Sequence, residues 1–168
     1  MSMCINKLRY VIKDLKSIIH PYGGRESIFT KNVKQLLPLT NFELIGEELC
    51  INHTLGIGKC DLWLANCPNN FLLSLELKVG HVDRINKQKL LEKQVYKYTD
   101  LMKVYYPEHN VYGLGAYKYE EFYKSGFKFI HYNQSTNNEI EILKNMISGS
   151  DPDPFQTAVI QTDIIQLC

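Results

Sequence analysis

Phe71-Leu72-Leu73-Ser74-Leu75-Glu76-Leu77-Lys78-Val79 is the stretch that decides the fold of this chain. Strand residues two apart share a face, so Leu75, Leu77 and Val79 point into a core while Glu76 and Lys78 emerge side by side. A second apolar run, Cys60-Asp61-Leu62-Trp63-Leu64, lies just before it. The connection Asn66-Cys67-Pro68-Asn69-Asn70 suits a hairpin loop. In such a hairpin Asp61 reaches the same spot as Glu76. Two carboxylates and an ammonium at a sheet end match the needs of phosphodiester hydrolysis. The carboxylates hold a hard divalent cation, and the lysine orients and helps deprotonate the attacking water. The plainer alternative is an alternating edge strand whose polar face is solvated. Against it, clustered carboxylates repel one another strongly at low effective dielectric. Such clusters tend to be kept where a cation neutralises them.

Outward from this pair, the pattern predicts a third strand at about Phe42 to Ile51, joined by Asn52-His53-Thr54-Leu55-Gly56 to a strand at Gly58 to Ala65. The two glycines of Gly56-Ile57-Gly58-Lys59 lack the Walker spacing and read as a hairpin turn. Upstream, Ile5, Leu8, Ile12, Leu15 and Ile19 predict an amphipathic helix over 4–19, broken by His20-Pro21-Tyr22-Gly23-Gly24. Ile28, Val33, Leu36 and Leu37 predict a second helix that opens near Arg25-Glu26-Ser27 and closes before Pro38. Downstream, a long helix is expected from about Asn86 to Tyr105, with Leu90, Leu91, Val95, Tyr98 and Met102 as its buried stripe and Pro107 closing it. Val111 to Tyr117 and Phe127 to Tyr132 read as two further strands. A helix from Glu139 to Met146, a turn at Asp151-Pro152-Asp153-Pro154 and a β-like end at Thr157 to Leu167 complete the expectation.

On the long helix Gln94 and Tyr98 stand at i and i+4, hence on one face. Taken alone, Tyr98 is core and Gln94 an exposed helix former. Their place directly after the Glu76–Lys78 strand gives them a second meaning. Gly58-Lys59-Cys60-Asp61, Glu76-Leu77-Lys78 and Gln94-Val95-Tyr96-Lys97-Tyr98, preceded by a helical Glu26, resemble the PD-(D/E)XK nuclease superfamily, in its RecB-like branch with a Q-x-x-x-Y helix. The resemblance covers roughly Glu26 to Tyr119. Cys60 stands where that family often has proline, and Glu47 and Glu48 compete with Glu26 for the helical glutamate's role.

The resemblance implies a restriction-endonuclease-like α/β core of order α-β-β-β-α-β, a central mixed sheet flanked by helices. It also implies Mg²⁺ or Mn²⁺ held by Asp61, Glu76, the carbonyl of Leu77 and Glu26. Lys78 would position the water, Gln94 would orient Lys78 or the scissile phosphate, and Tyr98 would stack or hydrogen-bond nearby. Lys93 and Lys97, with Arg84 and Lys87, would contact phosphates. The implied activity is metal-dependent hydrolysis of nucleic acid, DNA before RNA. The alternative is a catalytically inactive nuclease-fold module that binds nucleic acid or a protein.

Composition is compatible with either. The 168 residues, 45% of them hydrophobic, suffice for one domain with a core at about 25–119, the helix at 4–19 and an extension at 133–168. A net charge of +1 argues against nonspecific coating of nucleic acid but allows a local basic groove. Five cysteines form no C-x-x-C pair and no Cys/His ligand set, which favours a reducing intracellular compartment. The five histidines are scattered. No signal peptide and no membrane-spanning stretch is legible, so a soluble protein is expected, with a homodimer allowed. Tyrosines crowd Tyr96 to Tyr123, where core and interface use is favoured over stacking on bases.

Overall fold

The computed structural model describes residues 16–17, 25–53, 56–81, 84–120 and 125–149. Along the chain run β1 (Lys16–Ser17), α1 (Arg25–Leu36), a 3-10 turn (Leu37–Leu39), β2 (Phe42–His53), β3 (Gly56–Asn66) and β4 (Phe71–Gly80). They are followed by α2 (Ile85–Tyr105), β5 (Asn110–Glu120), β6 (Ser125–His131), a second 3-10 turn (Tyr132–Gln134) and α3 (Asn138–Gly149). The class is α/β, a mixed sheet flanked by helices.

The sheet runs in the order β1-β2-β3-β4-β5-β6. Every neighbouring pair is antiparallel except β4 and β5. Parallel neighbours need a long crossover, and α2 supplies it. A strand covered on both faces must be apolar nearly throughout, and every residue from Phe71 to Leu77 is buried. Phe71, Leu73, Leu75, Leu77 and Val79 share a cluster with Phe29 and Val33 of α1 and Ile140, Leu143 and Ile147 of α3. Leu72 lies in the opposite cluster, with Trp63 of β3 and Tyr98, Leu101 and Met102 of α2. Helix α3 thus contributes to the same core as α1, with Ile140, Leu143 and Ile147 all buried.

Helix α1 carries Glu26 in its first turn and Lys34 in its last, both complementary to the helix dipole. It tightens into the 3-10 turn at Pro38, which cannot continue the ladder. Helix α2 ends ahead of Pro107, with the Tyr106 N–H donating to the Met102 carbonyl at 2.9 Å. Two glycines on β5 set how closely α2 approaches. A methyl group on Gly115 would strike Leu91 and Val95, and one on Gly113 would strike Thr99 and Tyr132. Alternate glycines on one strand face mark such a close approach.

Three expectations change. Lys16 and Ser17, placed in an N-terminal helix, are extended and pair with Cys50 and Leu49. The outer edge of β2 offers unpaired backbone groups there, and a strand satisfies them where a helix does not. The other residues of that helix lie outside the described residues, as do the turn at 151–154 and the β-like end. Leu90, expected in the buried stripe of α2, is 50% exposed. It precedes Leu91 and is turned about 100° off the stripe, while Thr99 and Leu101 complete the buried face. The first hairpin is also tighter than expected, with His53 paired to Gly56 and both glycines inside β3. Among the described residues, no helix is long and apolar enough to cross a membrane.

Candidate active site at the parting of two strands

The ladder between β3 and β4 runs from Asn66↔Phe71 to Leu62↔Leu75 and then stops. One residue further, side chains take over the bonding. The Leu77 N–H donates to Asp61 Oδ2 at 2.7 Å, and the Asp61 N–H donates to Glu76 Oε1 at 3.3 Å. The Asp61 carboxylate therefore takes the Leu77 N–H that a β3 carbonyl would accept if the ladder ran on. The N–H and C=O of one strand residue share an edge, so the Leu77 carbonyl opens towards the same parting. Two residues C-terminal to Glu76, and on its face, stands Lys78.

Burial makes this arrangement unusual. Glu76 is fully buried, and its Oε2 has no hydrogen-bond partner. A charge taken from water without compensation is costly. Burial first, and the neighbouring charge of Asp61 second, push the Glu76 carboxyl well above the ordinary carboxylate range. In parallel register Glu76 lies beside Gly115. The room that glycine leaves is filled by Leu91 and Val95, so the same close approach of α2 that shapes the fold also walls in Glu76. Cys60 is fully buried too, and turns to the α2 side with Trp63 although alternation from Leu62 would send it to the other. Strand β3 therefore twists at Asp61, where it leaves β4. Burial, then Glu76 and Asp61, push the Cys60 thiol up as well, which keeps it protonated and a poor nucleophile.

Glu26 comes from the first turn of α1. Its carboxylate lies 3.5 Å from Lys78 Nζ and 3.9 Å from Lys87 Nζ. Of its competitors, Glu47 is engaged by Lys34 at 2.7 Å, and the side chain of Glu48 lies outside the described residues. Two contact pairs therefore stand at this end of β4: Asp61 with Glu76, and Lys78 with Glu26. Among the described residues, no set of three or more His, Cys, Asp or Glu side chains is grouped as a cation site. The oxygen donors at the parting are two carboxylates and one main-chain carbonyl.

Gln94 lies on the face that α2 turns to the sheet, between Leu91 and Tyr98, and its Oε1 is buried without a hydrogen-bond partner. Tyr98 is 2% exposed, packed with Cys60 and Trp63 in one cluster, with Lys97 Nζ 5.5 Å from its ring centre. Among the four basic residues expected to touch phosphates, Arg84 and Lys93 are exposed and Lys97 is half-buried. Lys87 instead places its ammonium 2.8 Å from the Val79 carbonyl. Three of the described tyrosines pack on aromatic rings. Tyr105 tilts against Trp63 at 5.8 Å, Tyr106 meets Trp63 edge-on at 6.1 Å, and Tyr112 meets Phe71 edge-on at 5.1 Å.

Two residues that fix the end of β4 carry other readings in the sequence: Tyr117 is one strand tyrosine among several, and Lys87 is a phosphate contact. Tyr117 is fully buried beside Lys78 in register and donates its hydroxyl to the His81 carbonyl at 2.7 Å, tying down the chain just past β4. Its signal was available: Gly80 is the small residue whose missing side chain makes room for that hydroxyl. Lys87, read as a phosphate contact, holds the end of β4. Among the described side chains, Cys60 is buried and Cys67 half-buried. No family model, no curated protein sequence and no solved structure matches this chain.

Proposed function

We propose that the chain is a metal-dependent nuclease that hydrolyses phosphodiester bonds in nucleic acid on a restriction-endonuclease-like core. The observation that carries this reading is the convergence of Asp61 and Glu76 where β3 parts from β4, with Lys78 on the same face as Glu76. The order helix, three strands, crossover helix, strand supports it, as does Glu26 against Lys78. Preference for DNA over RNA follows from the resemblance of the motifs.

The residues fit a hard divalent cation, Mg²⁺ or Mn²⁺. Glu76 Oε2 is a buried carboxylate oxygen without a hydrogen-bond partner, and carboxylate and carbonyl oxygens are the donors such ions take. Asp61, Glu76 and the Leu77 carbonyl would hold it, with Glu26 joining directly or through water. When bound, the ion polarises a phosphoryl oxygen and lowers the pKa of water. Lys78 holds the attacking water and offsets charge developing on the phosphorane. Gln94 aims its amide at Lys78 or the phosphate, and Tyr98 supports it from one turn away. Arg84, Lys93 and Lys97 attract the nucleic-acid backbone.

The full burial of Glu76 favours a second reading, a nuclease-fold module that binds nucleic acid or a protein partner without cutting. Cleavage assays on linear, circular and single-stranded substrates, with and without Mn²⁺, separate the two when run beside fluorescence-anisotropy titrations. The nuclease reading expects metal-dependent cutting that collapses in Glu76→Ala and Lys78→Ala. Binding should persist in both variants and fall steeply with salt. Binding without cutting by the wild type on any substrate form leaves the module standing.

A further inference from the structure

Past Leu62↔Leu75, β4 has no strand partner on its β3 side among the described residues. Odd-numbered residues of β4 present their backbone groups to that edge. The Leu77 N–H finds Asp61. The next odd residue, Val79, gives its carbonyl to Lys87 Nζ at 2.8 Å. The same ammonium lies 3.9 Å from Glu26 Oε1, while Lys78 Nζ lies 3.5 Å from Glu26 Oε2. One lysine thus spans the strand that carries Lys78 and the carboxylate that Lys78 meets. Its stem passes over Gly80, where an added methyl carbon would come within 3.2 Å of Lys87 Cδ. A side chain there would push both Lys87 and the Tyr117 hydroxyl away.

We propose that Lys87 is a positioning residue of this site: it bridges the Val79 carbonyl and the Glu26 carboxylate, and so holds Glu26 against Lys78. The role rests on the nuclease reading above. An exposed pair of charges contributes little by itself. Here the lysine also satisfies a main-chain carbonyl that the parted strand leaves unladdered, and its two contacts fix the distance between two other groups. Such an effect belongs to geometry. It acts on turnover far more than on the attraction of substrate.

Three variants of the full chain separate the contacts. Lys87→Arg keeps both a donor and a charge, Lys87→Gln keeps a donor without charge, and Lys87→Met keeps only the stem. Exposed Lys89, two residues along α2 and so turned to nearly the opposite side of the helix, serves as Lys89→Met to match the lost charge. With Mn²⁺ and one linear DNA substrate, kcat should fall on the order of 10- to 100-fold in Met and Gln, as small misplacements in active sites do, with KM within about twofold. Lys87→Arg should recover most of that loss. In Glu26→Gln the further change Lys87→Met should cost nothing more in kcat, because the two act through one another. A rise in KM with unchanged kcat, and a salt slope of binding reduced by about one, would make Lys87 a phosphate contact and overturn the proposal. Full rescue by Gln would reduce it to a structural bond to Val79 and overturn it too. A wild type that cuts while Lys87→Met keeps its kcat overturns this role alone. A wild type that cuts nothing overturns the nuclease reading and this role with it.

Discussion

The carboxylate of Asp61 accepts the backbone N–H of Leu77 at 2.7 Å, in the place where a partner strand's carbonyl would otherwise sit. This bond stands where the β3–β4 ladder stops, beside the Asp61 N–H that donates to Glu76 Oε1 at 3.3 Å. Structure and chemistry therefore pull on the same side chain, and substitutions can tell them apart.

Asp61→Asn keeps an acceptor for Leu77 and removes a like charge beside Glu76, so its metal-free stability should match or exceed the wild type's. Asp61→Ala leaves the Leu77 N–H unpaired and should be less stable than Asp61→Asn by about 1–3 kcal/mol. Urea denaturation in EDTA measures both. Equal stabilities for Asn and Ala would mean that the bond to Leu77 contributes nothing.

Mn²⁺ or Mg²⁺ should raise the melting temperature of the wild type and of neither Asp61→Asn nor Glu76→Gln. Binding to the native state alone stabilises by about 2.7 kcal/mol at a hundredfold excess over Kd. Trp63, the single tryptophan, lies two residues from Asp61 on β3 and gives an independent optical readout. Melting and fluorescence that ignore both cations up to saturating levels would count decisively against the cation site.

Metal-free stability should depend on pH through Glu76. Its folded-state pKa is raised by burial and then by Asp61, so the folded protein binds this proton more tightly than the unfolded chain does. That contribution is complete below the ordinary carboxylate range, and it is lost as pH rises towards the raised folded value. In EDTA the wild type should therefore lose stability relative to Glu76→Gln as pH climbs from 4.5 upward. Denaturation midpoints of the two proteins, followed from acid to neutral pH, give the comparison. Parallel curves would place Glu76 in an environment that tolerates its charge.

Gln94→Ala should lower cleavage substantially and leave the fold intact, since the amide carbonyl is proposed to orient groups and not to fill the core. Tyr98→Phe keeps the buried ring and should be milder. Cleavage rates beside thermal melts test the ranking, and the reverse order would make the Q-x-x-x-Y match accidental.

Gly115→Val should destabilise the fold by about 1–3 kcal/mol, the usual cost of overpacking, because its side chain meets Leu91 and Val95. The strain falls next to Glu76 in register, so cation-dependent turnover should drop by more than the loss of folded protein explains. A circular-dichroism melt paired with a cleavage assay corrected for folded fraction reads both. Turnover that tracks folded fraction alone would show that the approach of α2 does not shape the site.

Much of the layout was legible in the residues themselves. The alternation through Leu75, Glu76, Leu77, Lys78 and Val79, the prolines at 38 and 107 and the helical spacing of Leu91, Val95, Tyr98 and Met102 are local signals. They place β4, α1 and α2 within one or two residues of where they lie. Leu90 was misplaced because two adjacent leucines satisfy a helical period almost equally, and only the partner surface chooses between them. Lys16 and Ser17 were misplaced because their helical spacing is local, while the open edge of β2 that they pair with is not.

By itself, the sequence determined that Glu76 and Lys78 share a strand face, that a hairpin returns Asp61 to them, and that a helix carrying Gln94 and Tyr98 follows. These are consequences of period and spacing, which depend on near neighbours alone. Only the tertiary structure decided that Glu76 is sealed from water, that β3 parts from β4 at Asp61, that Tyr117 and Lys87 hold the end of β4, and that Glu26 is the glutamate that meets Lys78. Burial and strand parting depend on what packs from far along the chain. Gly115 admits α2, and α1 arrives from before the sheet, so no window around Glu76 contains the residues that set its environment.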